Sequence, residues 1–150
     1  MSFSHPTGTR GAKQPGRTFR WMNRLLMGRA RRTDRTTMGM NLLVLTTVGR
    51  KSGQPRETPL AWFPGPDGSW LVVASAAGAP ANPAWYLNLA AHPDRVTVEH
   101  AGRKVAVTAR ELRGAERADA WEKITTEADQ FRRYEEATDR EIPVIRLTPR

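Results

Sequence analysis

Three cations stand close together in this chain where a turn must fall. Arg50 and Lys51 follow the apolar run 42–48, Arg56 opens the next strand-like run, and Ser52 lies between them. A hairpin there gathers three positive side chains, a hydroxyl and the turn's backbone amides at one end. Such a cluster suits a ligand carrying phosphate or several carboxylates, because hydrogen bonds between ionised partners are about twice as strong as neutral ones. A second group follows, Ala74-Ser75-Ala76-Ala77-Gly78 and then Asn82-Pro83-Ala84-Trp85-Tyr86-Leu87-Asn88-Leu89. The two groups together point to a site for an anionic, aromatic cofactor.

Other chemistries are set aside on residue types. The chain has no cysteine, hence no disulfide, thiolate metal site or cysteine nucleophile. His5, His92 and His100 are scattered, which argues against a metal triad. Ser75 has no neighbouring His-Asp context. No Gly-x-Gly-x-x-Gly follows a strand, and Gly49-Arg50-Lys51-Ser52 joins two strands instead of opening a helix, as a phosphate loop would. A protein without an evident acid, base, nucleophile or metal can still be an enzyme when a cofactor carries the reaction.

The elements that must position these groups follow from periodicity. The 150 residues suit one domain, and no apolar run approaches the roughly 20 residues of a membrane-spanning helix. The formal charge of +9 is uneven: nine of the 24 basic residues fall in positions 1–41 against Asp34 alone. The body is therefore nearly neutral, and the basic pI is no argument for nucleic-acid binding. Composition predicts a disordered basic arm over 1–17 and a folded domain over 18–150. Within the latter, Phe19, Met22, Leu25, Leu26 and Ala30 recur at helical spacing and predict an amphipathic basic helix over 18–35. That helix could pack on the body or on a second subunit; Trp21 and its arginines would also suit an anionic membrane surface. Strands are expected at 42–48, 56–63, 70–75, 95–100, 103–111 and 142–147. Helices are expected from Asn82, as a cap, to about 91, and over 114–126; the stretch with Phe131 and Tyr134 is read as polar and irregular. Hairpins dominate without βαβ alternation, so the fold class is α+β, mainly β, a largely antiparallel sheet or small barrel.

Four blocks of the chain closely resemble the deazaflavin-dependent nitroreductase family, with its quinone reductase-like members. They are Val48-Gly49-Arg50-Lys51-Ser52-Gly53-Gln54-Pro55-Arg56, Ala74-Ser75 with its following glycine, Asn82 to Leu89, and Thr138-Asp139-Arg140-Glu141-Ile142-Pro143-Val144. The resemblance implies a split β-barrel with flanking helices and the cofactor coenzyme F420, a deazaflavin with a phosphate and an oligoglutamate tail. It implies a reductase passing hydride from the reduced cofactor to quinones, nitroaromatics or other electron-poor acceptors. By motif, Arg50, Lys51 and Ser52 would hold the anionic part of the cofactor, with Arg56 and Thr58 adding contacts. Pro59, Leu60 and Ala61 would line the site on the second strand. Val73, Ala74, Ser75 and Ala76 would pass along the ring system, and Ala84, Trp85, Tyr86, Leu87 and Asn88 would complete it at a helix start.

On the acceptor side the resemblance implies a pocket at Ala61, Ala128, Phe131 and Tyr134, with Tyr134 the candidate proton donor or substrate contact. Ala61 and Ala128 stand where some characterised members have tyrosine, which reshapes that pocket and removes hydroxyl donors. The lysine that usually precedes the family's paired glycines is absent, since Ala76-Ala77-Gly78 stands there. Rival readings are a non-catalytic deazaflavin carrier and a split barrel that holds FMN or haem. The expected partners are a small-molecule acceptor and, through the N-terminal helix, an anionic membrane surface. The expected state is a monomer or homodimer, cytoplasmic or peripheral on the inner face of the cell membrane.

Overall fold

A computed structural model describes residues 3–11, 19–32 and 40–150, with the backbone alone for 19–23. The rest of the expected arm, 1–2 and 12–17, and the ends of the expected helix, 18 and 33–35, lie outside the described residues. Helix α1 (Phe19–Arg32) is followed by β1 (Leu42–Val48), β2 (Pro55–Ala61), β3 (Phe63–Pro64), β4 (Trp70–Val73), α2 (Ala84–Ala91), β5 (Val96–His100), β6 (Arg103–Glu111), α3 (Gly114–Glu127), α4 (Gln130–Ala137) and β7 (Val144–Pro149).

The seven strands form one antiparallel sheet in the order β2-β1-β5-β6-β7-β4-β3. Strands β2 and β3 are consecutive in the chain yet occupy opposite edges, with Trp62 alone between them. One residue spans that gap only if the sheet curls until its edges meet, and β2 does approach β4. Curling of this kind gives a split barrel. The strand expected over 56–63 is interrupted at Trp62, whose amide donates to the Asn41 carbonyl at 3.0 Å, still in register with the β1–β2 pair, before the chain crosses to β3. Pro55 and Pro59 are tolerated in β2 because an edge strand has donors that need no partner.

Alternation along the strands divides the interior. Leu43 and Leu45 point into a main core with Val72, Ala74, Trp85, Tyr86, Leu89, Val96, Val98, Val107, Ile145 and Leu147. Leu42 and Val44, on the opposite face, pack under α1 against Leu26, Met27 and Ala30. A third cluster joins Phe63, Leu71, Val73 and Val144 to α3 and α4 through Ile124 and Phe131. Helix α1 therefore covers the sheet, with its last carbonyls at Ala30 and Arg31 receiving the Ala101 and Gly102 amides. Leu25, expected on the apolar face, is instead 65% exposed. Among the described residues, no helix is long and apolar enough to cross a membrane.

Two expectations give way. The stretch read as polar and irregular forms α4, because Phe131 and Tyr134 sit at i and i+3 and share one face against the third cluster. The arm, read from composition as disordered, lies along the body over 3–11. Ser4 N donates to Glu111, His5 N to Tyr86 Oη at 3.1 Å, Gly8 N to the Pro80 carbonyl at 2.8 Å and Thr9 N to Asp139 at 2.8 Å. Small polar residues have little core to offer, but their backbone groups pair with side chains already held by the barrel.

Candidate functional site

The cationic turn forms as its residues dictate. The Gly49 amide donates to the Gln54 carbonyl and the Gly53 amide to the Gly49 carbonyl, each at 2.8 Å. Ser52 Oγ receives the Gln54 amide at 3.2 Å and the Arg56 guanidinium at 3.4 Å. Glycine is needed at 49, where a Cβ would stand 2.5 Å from Ser52 Oγ. These bonds use up the amides of Gly49, Gly53 and Gln54, and the Arg50 amide donates to Asn88 Oδ1 at 3.1 Å. What the turn presents to a ligand is therefore chiefly side-chain charge.

Above the turn lies a cavity of about 650 Å³, walled by the β1–β2 turn and β2, the first turns of α2, and α1. The structure brings Arg50, Lys51, Ser52, Arg56, Thr58, Ala84, Trp85 and Asn88 together there, all expected from the sequence. It adds Arg24 and Met27 of α1, and Glu57, which the sequence reading missed. Four cations thus face one carboxylate, and that carboxylate is bound by Arg31. Among the described residues, none of Arg24, Arg50, Lys51 and Arg56 has a carboxylate within ion-pair distance. Ala84 and Trp85 add the amino end of α2, where helix amides are intrinsically unpaired and the dipole is positive. Guanidinium and ammonium groups without carboxylate partners, around an open cavity, fit a polyanionic tail.

The remaining expected residues lie elsewhere. Tyr86 turns into the barrel, fully buried, and donates from its hydroxyl to Glu111 at 2.5 Å. Leu87 packs at the edge of the main core. Pro59, Leu60 and Ala61 follow the cavity residues along β2 and are half-buried. Val73 and Ala74 are buried in the core, and Ser75 and Ala76 are half-buried at the start of a left-handed turn. Ala61, Ala128, Phe131 and Tyr134 do come together, in the cluster beneath α3 and α4. The Phe131 ring stands edge-on to Tyr134 at 5.6 Å and to Phe63 at 5.8 Å.

The segment from Ala74 to Asn82 is held by Arg140. Its guanidinium, 2% exposed, donates to the carbonyls of Ala74, Ser75 and Ala79 and to Asn82 Oδ1, at 2.6–3.0 Å. Burial lowers its pKa, and among the described residues it has no carboxylate partner. Asn82 was expected to cap α2; instead its amide spans Arg140 and the Pro6 carbonyl, and Pro83 takes the cap position without a side-chain bond. Ala76, Ala77 and Gly78 have φ of 46°, 53° and 84°. That conformation strains alanine by roughly 1–3 kcal/mol. It persists because Arg140 fixes the flanking carbonyls; Gly78 itself has no room for a side chain, since a Cβ there would stand 3.0 Å from the Tyr134 carbonyl. The sequence offered Arg140 within a family-like block but no role for it.

A family model described as F420H(2)-dependent quinone reductase matches residues 16–149. An F420H(2)-dependent quinone reductase of Mycobacterium tuberculosis (strain ATCC 25618 / H37Rv) is 37% identical over 111 residues, covering 72% of this chain and 73% of that protein. A solved F420-H2 dependent reductase, FDR-A, is 36% identical with a TM-score of 0.64, covering 71% of this chain and 92% of that one. A second solved chain, described as a domain-swapped dimer, is also 36% identical with a TM-score of 0.64, covering 71% and 78%.

Proposed function

The chain belongs to the F420H(2)-dependent quinone reductase family, and we propose that its acceptor is quinone-like, or another electron-poor conjugated molecule such as a nitroaromatic, bound against Ala61, Ala128, Phe131 and Tyr134. The family is an oxidoreductase family dependent on reduced coenzyme F420, so the carrier and the FMN or haem readings give way. One observation carries the proposal. Strand β2 runs from Arg56, in the cationic cavity, to Ala61, in the cluster that holds Tyr134. Five residues of strand span about 17 Å. That is a fitting reach for a cofactor with its charged tail at one end and its reacting ring at the other.

When bound, reduced coenzyme F420 supplies the hydride, and no side-chain nucleophile is required. Arg50, Lys51 and Arg56 would hold the tail by charge, with Ser52 and Thr58 as hydroxyl partners. Ser75 and Ala76, with their small side chains, let a planar group approach the backbone. Phe131 and Phe63 keep water from the acceptor end and orient it, which is the larger part of the protein's work in such a transfer. Reduction of a quinone by hydride also consumes one proton. Tyr134, half-buried beside Phe131, is the side chain placed to hold or deliver it.

Steady-state oxidation of reduced coenzyme F420 against a panel of quinones and nitroaromatics tests this reading. Saturable turnover with quinones, lowered by Tyr134→Phe chiefly in kcat, is expected. A panel in which no quinone is reduced faster than without protein would overturn the acceptor assignment.

A further inference from the structure

Helix α1 covers the sheet, yet its inner row does more. Arg24, Met27 and Arg31 stand at i, i+3 and i+7, on one face two turns long. Arg24 and Met27 line the cationic cavity. Arg31 binds Glu57 and, at 2.9 Å, Glu99. Glu57 is the single carboxylate lining the cavity among the described residues, and on β2 it sits beside Arg56 and Thr58.

We infer that α1 is a working wall of the cofactor site: Arg24 takes the glutamate portion of the tail, beyond the phosphate, and Arg31 keeps Glu57 from repelling it. The inference rests on the tail lying in this cavity, and it adds a subsite that reads tail length. The geometry supports it from both ends of the helix row. At the outer end, Arg24 is exposed, has no carboxylate within ion-pair distance among the described residues, and faces the same cavity as Arg50 and Lys51. At the inner end, a carboxylate that would oppose an anion is drawn onto a guanidinium that a second carboxylate also holds, which offsets its charge in part. The docking that sets this row is firm, since Leu26, Met27 and Ala30 pack on β1 and the β5–β6 hairpin amides close the helix end. Each glutamate of the tail brings another carboxylate. The three cations of β1–β2 would be matched by the phosphate and the nearest carboxylate, which leaves Arg24 for those further out.

The test compares two forms of the cofactor, one with its full glutamate tail and one trimmed back to the phosphate, by fluorescence titration at low salt. Wild-type protein should bind the full form more tightly. Arg24→Ala should weaken the full form about tenfold, the worth of one charge-assisted bond, and leave the trimmed form within about twofold. Arg24→Lys should retain most of the wild-type preference. Glu57→Gln breaks the ion pair to Arg31, so a merely structural role predicts weaker binding, whereas this reading predicts tighter binding of the full form. Equal losses for both forms in Arg24→Ala, or weaker binding in Glu57→Gln, would overturn the subsite. If Arg50→Ala with Lys51→Ala leaves the trimmed form unaffected, the cavity assignment itself fails, and the subsite with it.

Discussion

The backbone amide of Arg50 donates to Asn88 Oδ1 at 3.1 Å, and through this bond the β1–β2 turn is tied to helix α2. The two segments that composition singles out as unusual thus meet directly. Asn88 is 6% exposed, so its carbonyl has little water to replace that donor.

Replacing Asn88 separates geometry from charge. Asn88→Ala leaves the Arg50 amide without its acceptor and should weaken cofactor binding roughly five- to tenfold, about 1 kcal/mol. Asn88→Asp keeps the acceptor but places a negative charge in the proposed anion site, and its loss should shrink as salt rises. Affinity measured at two ionic strengths checks both; a salt-independent loss in Asn88→Asp would contradict the charge argument.

Arg140 should be among the costliest residues to lose. Its removal strands three carbonyls and Asn82 Oδ1 in a buried site, at roughly 1–3 kcal/mol for each group left unpaired. Urea denaturation of Arg140→Met is expected to show at least about 3 kcal/mol of destabilisation. Arg140→Lys should recover less than half of it, since an ammonium cannot reproduce the planar fork. A Met variant within about 1 kcal/mol of wild type would show that the carbonyls find other partners.

The Tyr86–Glu111 pair makes alkaline stability a reporter of the core. Burial, reinforced by the bond to Glu111, pushes the Tyr86 phenol up to about 12 from an ordinary value of 10.0. A group raised in this way stabilises the fold fully below its unfolded value, and the contribution is lost as pH rises through the window from about 10 to about 12. Wild-type stability should therefore fall in that window, and its advantage over Tyr86→Phe should narrow. A gap that stays constant across the same pH range would mean the phenol titrates at its ordinary value.

In the proposed acceptor site, Ala61 and Ala128 would shape the pocket by their smallness. Ala61→Tyr and Ala128→Tyr fill space in the cluster with Phe131 and Tyr134, so bulky quinones should lose kcat/KM several-fold while cofactor affinity is unchanged. Equal losses in both quantities would place these residues against the cofactor instead.

Much of this was legible in the residues. The runs at Leu42–Val48 and Arg103–Glu111 are rich in β-branched residues, and both form strands with the expected bounds. The turn chemistry of Gly49 to Pro55 announces a hairpin. The family's motif blocks identify the split barrel and, with it, the cofactor. What stayed hidden depended on partners distant in sequence. Nothing local in Tyr86 says that its hydroxyl meets Glu111, and nothing in the arm's composition says that its amides meet Tyr86 and Asp139. Arg24 looked like one arginine among many in a basic helix, and only the docking of α1 on β1 places it on the cavity. Asn82 had the right residue type for a helix cap, but a buried guanidinium competed for its oxygen and won.

The proposed role of the β1–β2 turn cations is to hold the anionic part of the cofactor. Titration of coenzyme F420 fluorescence by wild-type protein and by the Arg50→Ala, Lys51→Ala double variant, at low salt, tests it most directly. Wild type should bind saturably and the double variant should lose well over tenfold, at roughly 1.5 kcal/mol or more per charged bond. Equal affinity in the two proteins would contradict it.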